Sequence, residues 1–253
     1  MRSRGFTAIE SSPRSSATTL EEPVFSSTAA SKLEPITTSS KASSSSQVLE
    51  PTPLAKRGLD VTLSATGLLL ATPLGMLIAL AIKLGDGGPI FFVQERVGKG
   101  GKHFRSFKFR SMIPDADGAE GPVQAEEHDP RVTPVGEVLR KTAMDELPQL
   151  WNIFRGDMSF VGPRALATHE AETRGGNSVA LSAIPGYRER HAVVPGLTGI
   201  AQIYARRDIP RRQKFCFDRL YVDKRSFWLD LKLIFLSFWI TFRGKWEVRE
   251  KKL

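Results

Sequence analysis

A single cysteine, Cys216, among 253 residues leaves no partner for an internal disulfide and rules out a cysteine-only metal site. A lone cysteine of this kind is expected to be a small buried residue. Histidine is also scarce, with four in the chain, and His128 and His169 have no companion at a metal-ligand spacing, so both are read as solvated. The first 53 residues lack apolar periodicity and any apolar run long enough for the core of a secretory signal. Nothing in them marks the chain for export. The only long uncharged stretch is residues 61–82.

What is present is distributed unevenly. Residues 1–53 are dominated by Ser, Thr, Ala and Pro, including four consecutive serines from Ser43, and read as a disordered tail. Residues 1–55 carry five basic and five acidic side chains, so the whole net charge of +9 resides in residues 56–253. Such a domain favours anionic partners: nucleic acid, phospholipid headgroups or phosphorylated substrates. The uncharged stretch of about 22 residues would extend about 33 Å as a helix, enough for a hydrocarbon core of about 30 Å. Pro73 divides it into arms of about 12 and 9 residues, each reaching about halfway. The Thr72 hydroxyl stands ready for a carbonyl that Pro73 frees. Lys56 and Arg57 precede the stretch, and Lys83, Arg96, Lys99 and Lys102 follow it, so both ends carry the cytoplasmic signature. That pattern favours a re-entrant hairpin over residues 54–87, broken at Thr72-Pro73, over a spanning or a buried helix.

Beyond it, residues 89–97 and 103–112 flank Gly98-Lys99-Gly100-Gly101-Lys102 and predict a β-hairpin. Alternation puts Phe107 and Phe109 on one face, and Lys108 and Arg110 on the other, a pair of cations suited either to solvent or to phosphate. Residues 114–134 read as an acidic loop with a turn at Asp129-Pro130-Arg131, and residues 135–141 as a short helix. In Pro195-Gly196-Leu197-Thr198-Gly199 the glycines permit close backbone approach to another group. Residues 227–242 are rich in Phe, Trp, Leu and Ile, too short in their uncharged part to span, and followed by five Lys/Arg from Arg243 on. This segment is suited to burial in protein or to an anionic lipid surface.

The densest chemistry lies in Met144-Asp145-Glu146-Leu147-Pro148-Gln149-Leu150-Trp151-Asn152-Ile153-Phe154-Arg155-Gly156-Asp157. Leu147, Leu150, Trp151 and Phe154 form one apolar helix face, Gly156 is placed to end the helix, and the spacing predicts its start near Asp145, with Thr142 and Asp145 as a capping pair. Two adjacent carboxylates at a helix N-terminus would include at least one free anion at neutral pH, able to cap, to bind metal or to attack. Arg140, Arg155 and Arg164 surround them, more cations than capping needs, and guanidinium forks suit phosphate oxygens.

From Lys56 onward the chain resembles the small monotopic phosphoglycosyl transferases, or bacterial sugar transferases. The resemblance rests on Lys56-Arg57 with Asp60, Gly88-Pro89-Ile90-Phe91-Phe92 with Gln94, Arg96 and Gly98, and Lys108-Phe109-Arg110-Ser111-Met112. It continues through Asp129-Pro130-Arg131, Asp145-Glu146-Leu147-Pro148-Gln149-Leu150, Gly156 to Arg164, and Pro195 to Gly199 with Gln202. Thr72-Pro73 stands where Ser-Pro is usual, Ala165 where a proline usually follows Arg164, and Ala205 where a glycine often precedes Arg206. The resemblance implies a helix-dominated α+β fold: a re-entrant membrane hairpin and a cytoplasmic catalytic domain, residues 88–253, with a short β-hairpin and interfacial amphipathic helices, the last at the C-terminus. It implies a monotopic enzyme on the cytoplasmic face of the bacterial inner membrane, in contact with phospholipid and compatible with a homo-oligomer, that starts exopolysaccharide or glycoconjugate synthesis. The donor would be a UDP-sugar, the acceptor undecaprenyl phosphate and the cofactor Mg²⁺. Asp145 would be the nucleophile and a metal ligand, Glu146 would serve metal or acceptor activation, Asp157 would support metal, and Lys108, Arg110, Arg140 and Arg164 would bind phosphate. The rival reading is a basic, membrane-tethered nucleic-acid-binding protein without catalysis. Against it, the aromatics do not alternate with cations along a stacking surface, and two carboxylates beside the arginines would repel a phosphate backbone.

Overall fold

The structure, a computed structural model, describes residues 49–114, 116, 129–168, 170–174, 177–206 and 209–243. The tail over residues 1–48, most of the acidic loop, and both His128 and His169 lie outside the described residues. Residues 49–53, placed with the tail on composition, are seated on the body: Glu50 donates its N–H to the Ala192 carbonyl, and its carboxylate pairs with Arg225.

Helix α1 (Leu54–Asp86) ends at Gly87, whose left-handed φ of 72° lets its N–H close on the Lys83 carbonyl. Its first turns are polar and anchored. Lys56 Nζ donates to Asp230, to the Tyr221 hydroxyl and to the Val161 carbonyl, while the Asp60 carboxylate accepts from Ser159 Oγ and the Phe160 N–H. Arg57 donates to the carbonyls of Ile153 and Phe154. The middle is apolar and uncovered, with Leu69, Leu70, Met76 and Leu77 exposed. Pro73 sits inside this helix and does not end it. Lacking an N–H, it frees the Leu69 carbonyl, yet the Thr72 hydroxyl donates one residue earlier, to Leu68 at 2.7 Å. The rescue expected of Thr72 therefore goes to a neighbour. The last turns return to protein, where Ile78 and Ile82 pack with Phe109 and Leu139, and Asp86 pairs with Arg110.

Strands β1 (Phe91–Val97) and β2 (His103–Phe109) form the expected hairpin, in register from Phe91 opposite Phe109 to Val97 opposite His103. Strand β4 (Leu166–Ala167) extends it beside β1. Helix α2 (Pro134–Lys141) opens with Thr133 Oγ1 accepting the Gly136 N–H and with Pro134 in the first turn. Helix α3 (Gln149–Arg155) ends at Gly156, φ 95°. Strand β3 (Ser159–Val161) runs parallel to β7 (Gly196–Thr198), and β5 (Ala171–Arg174) pairs with β6 (Asn177–Ala180). Helices α4 (Tyr187–Arg190), α5 (Ile200–Tyr204), α6 (Arg211–Lys224) and α7 (Phe227–Phe242) complete a helix-dominated α+β body.

The main core joins Leu150 and Ile153 of α3, Phe160 and Val161 of β3, and Leu233, Ile234 and Ile240 of α7, with Leu59, Leu63 and Leu68 of α1 packed against it. Helix α7 thus buries one apolar face in protein and leaves another, Trp228, Phe235, Phe238 and Phe242, exposed. Cys216 is exposed, contrary to expectation. Phe215, Asp218 and Tyr221 set the buried face of α6, and the neighbouring position 216 turns away from it.

Candidate active site

Asp145 and Glu146 lie in a single 3-10 turn, Met144–Glu146, between α2 and α3, and not in the first turn of α3, which begins after Pro148. The predicted capping pair does not form. Thr142 closes α2, with its hydroxyl donating to Val138 and Leu139 carbonyls. The chain turns at Ala143, whose φ of 55° makes it the non-glycine residue with left-handed backbone among those described. A Cβ there costs roughly 1–2 kcal/mol, strain held at the position that aims the two carboxylates.

Lys108 reaches them from β2. That strand is stapled to α3 by Asn152, whose Oδ1 accepts from the Phe107 N–H at 3.1 Å and whose Nδ2 donates to the Arg105 carbonyl at 2.7 Å. The next residue is thereby directed to the turn. Lys108 Nζ hydrogen-bonds Glu146 Oε1 and lies 3.7 Å from Asp145 Oδ2, so the two carboxylates are unequal. Burial pushes Asp145 up to about 6, raised further by Glu146 and opposed by Lys108, Arg140 and Arg164. Burial also acts on Glu146, but Lys108, Arg164 and Arg96 outweigh it and hold that carboxyl down at about 2. One of the pair is a firm anion, as the sequence led one to expect; the other titrates close to neutrality.

Arg140, in the last turn of α2, and Arg164, exposed beyond β3, both act on Asp145. Two other expected residues are not brought to the site. Arg110 is buried with its guanidinium on Asp86 and the Pro89 carbonyl. Asp157 lies beyond the far end of α3, 3.3 Å from Asn152 Nδ2 and 3.5 Å from Arg155 Nε. Its carboxylate is engaged within the loop after α3. Arg96 is the residue missed as a site member. It donates to the Ala165 carbonyl, acts on Glu146, and its buried Nε has no partner among the described residues. The signal available in sequence was an arginine near the end of the predicted first strand, among the residues that carry the family resemblance.

The backbone carrying Arg164 is held by the glycine-rich segment. A Cβ on Gly196 would lie 2.0 Å from the Gly162 nitrogen, and one on Gly199 2.3 Å from the Gly162 oxygen. The partner for the close approach predicted at Pro195-Gly196-Leu197-Thr198-Gly199 is therefore Gly162. Among the described residues no group of three His, Cys, Asp or Glu side chains could hold a metal. Mg²⁺, however, commonly takes one or two carboxylates and fills the rest of its shell with water and substrate phosphate, and adjacent Asp145 and Glu146 suit that minimal set.

The sequence profile of the bacterial sugar transferases matches residues 52–244. The chain is 44% identical over 189 residues to undecaprenyl-phosphate glucose phosphotransferase of Komagataeibacter xylinus, covering 73% of this chain and 35% of that protein. It is 40% identical over 185 residues to exopolysaccharide production protein PSS of Rhizobium leguminosarum bv. phaseoli, covering 71% of this chain and 91% of that protein. With UDP-glucose:undecaprenyl-phosphate glucose-1-phosphate transferase of Escherichia coli K12 it shares 42% over 199 residues, 76% of this chain and 41% of that protein. The chain thus spans nearly all of one of these relatives and less than half of the other two.

Proposed function

Because the chain belongs to the bacterial sugar transferase family, we propose that it moves a sugar 1-phosphate from a UDP-sugar to undecaprenyl phosphate through a covalent intermediate on Asp145, initiating exopolysaccharide or glycoconjugate synthesis. The observation that carries this reading is the inequality of the two carboxylates. Lys108 is committed to Glu146, which leaves Asp145 as the more basic and less neutralised oxyanion, under the field of Arg140 and Arg164. A carboxylate near 6 is mostly ionised at neutral pH and more nucleophilic than an ordinary aspartate.

In the first half-reaction an Asp145 carboxylate oxygen attacks the sugar-bearing phosphorus, the phosphoanhydride bond breaks, and nucleoside monophosphate leaves with the electron pair. In the second, a phosphate oxygen of undecaprenyl phosphate attacks the same phosphorus and Asp145 is released as carboxylate. Arg164 and Arg140 oppose the charge that gathers on the phosphoryl oxygens, and Lys108 keeps Glu146 from repelling the incoming diphosphate. When bound, Mg²⁺ on Asp145 and Glu146 would supply further charge neutralisation of the diphosphate.

The same proposal places α1 in one leaflet at the cytoplasmic face. Both its ends are tied to one folded body, Lys56 to Asp230 and Asp86 to Arg110, whereas a straight crossing would carry them to opposite sides. The exposed leucines around Pro73 form the part that would lie deepest, and the exposed face of α7 would rest on phospholipid. The test uses donor labelled in its sugar phosphate, without acceptor. Wild-type protein should retain label as an acyl phosphate while releasing nucleoside monophosphate, and Asp145→Asn should retain none. Full product formation with no label on the wild type would mean direct transfer in one ternary complex.

A further inference from the structure

The carbonyls of four consecutive residues, Gly162 to Ala165, each accept a donor from elsewhere in the chain. Gln202 Nε2 takes Gly162, the Gly196 N–H takes Pro163, Arg190 Nη2 takes Arg164, and Arg96 Nη1 takes Ala165. Above this clamped backbone the Arg164 side chain is exposed. Arg96 acts on Glu146 as well as on the backbone, but Arg190 faces the other way. It is 2% exposed, and it also donates to Asp218 Oδ2 at 2.8 Å through Nε and to His191 Nε2 at 3.4 Å through Nη1. Its Cζ lies 4.8 Å from the centre of the Phe215 ring. His191 is held neutral: burial, then the Arg190 charge, brings it down to about 4, and Nδ1–H donates to the Tyr187 carbonyl, leaving Nε2 to accept.

Burying a guanidinium is expensive, and a neutral amide would suffice to satisfy one carbonyl. A fork fixed on three sides by Asp218, His191 and an aromatic face does something an amide cannot, which is to hold its free corner at one position with a strong, charge-assisted bond. We infer that Arg190 is a positioning residue for the phosphoryl-transfer site: by gripping the Arg164 carbonyl, with Asp218 and His191 as its own supports, it sets the direction in which the Arg164 guanidinium leaves the backbone. This rests on the role proposed above for Arg164.

Arg190→Lys keeps the charge and a partner for Asp218, but a single ammonium cannot reproduce the fork. It should lower kcat by roughly 10- to 10²-fold, the scale of a displacement of about 1 Å in a site of this kind. In an Arg164→Gln background the same change should cost less than about twofold, because the side chain it positions is gone. Hydrogen exchange supplies a readout independent of catalysis: amides in residues 160–168 should exchange faster in Arg190→Lys, with those of α3 unchanged. Asp218→Asn, which keeps volume and an acceptor while loosening Arg190, should give the same pattern at smaller amplitude and serves if Arg190→Lys does not fold. Equal losses in both backgrounds, or unchanged exchange in residues 160–168, would overturn the assignment. Wild-type protein inactive with every UDP-sugar would instead remove the proposed reaction and leave the exchange measurement to decide the clamp.

Discussion

A carboxyl held near pH 6 beside one held near 2 gives a physical basis for the different roles that the family resemblance implies for Asp145 and Glu146. In the proposed mechanism the reactive form of Asp145 is the anion, so kcat/KM should rise with pH and level off above about 6. Lys108 is among the charges that pull Asp145 down, so Lys108→Gln should move that acid limb to higher pH as well as lower the plateau, about 10²-fold being the scale for a lost stabilising donor. An unmoved limb in the variant would assign the limb to another group. Stability should show the opposite sign. Asp145 binds its proton more tightly folded than unfolded, so the folded state loses stability as pH rises from about 4 to about 6, whereas Glu146 adds stability as pH rises from about 2 to about 4.5. Asp145→Asn should therefore be more stable than wild type at pH 8, by about 1–3 kcal/mol, with the gain vanishing near pH 4. Thermal unfolding at the two pH values reads this directly, and it separates a dead enzyme from an unfolded one.

At the scale of elements, periodicity and turn chemistry made some features legible and hid others. The hairpin around Gly98 to Lys102 could be read because glycine turns and alternating strands are local signals, and the same alternation placed Lys108 on the useful face. Alternation names a face but not a partner. Arg110 was misplaced because its partner, Asp86, comes from a helix end 24 residues earlier. The start of α3 was misread because the preceding reversal is made by Ala143 in a conformation that usually announces itself with glycine. Ala143→Gly removes the Cβ strain but frees the unfolded chain, so stability should change by less than about 1 kcal/mol while the looser turn lowers kcat. A marked loss of stability, measured by chemical denaturation, would mean that the Ala143 methyl is needed for packing. The parallel pairing of β3 with β7 was illegible for a plainer reason: strands of three residues have no period to detect. For α1, Pro73→Leu restores the missing N–H and should favour a straight, membrane-crossing helix. Cysteine labelling at positions 55 and 87 then distinguishes the two topologies, both positions reacting from the cytoplasm in the wild type and position 55 or 87 reacting from the opposite side in the variant.

For the whole molecule, the uncovered surfaces of α1 and α7 and a net charge of +9 belong to one arrangement. Exposed Trp228, Phe235, Phe238 and Phe242 follow a helical stripe opposite Leu233, Ile234 and Ile240. Replacing Trp228 and Phe235 together by serine should weaken binding to anionic phospholipid vesicles by roughly 10-fold or more without lowering the melting temperature, since neither ring fills the core. Binding that is unaffected by both substitutions would leave α1 as the whole of the attachment.

The ion pair of Lys56 with Asp230 also governs how this protein can be handled. Asp230 is buried within α7 beside Tyr221, and its cation comes from the first turn of the apolar helix, which the same region binds again through Asp60. A fragment cut at Gly88 in the hope of a detergent-free catalyst would leave that carboxylate without its counter-charge. Stranding one member of such a pair costs about 3–5 kcal/mol, a large share of the roughly 5–15 kcal/mol that holds a domain together. On the proposed placement of α1 in the bilayer, the helix that would anchor the protein is also part of its fold, and solubility would have to be engineered on its exposed leucines, with Lys56, Arg57 and Asp60 left in place.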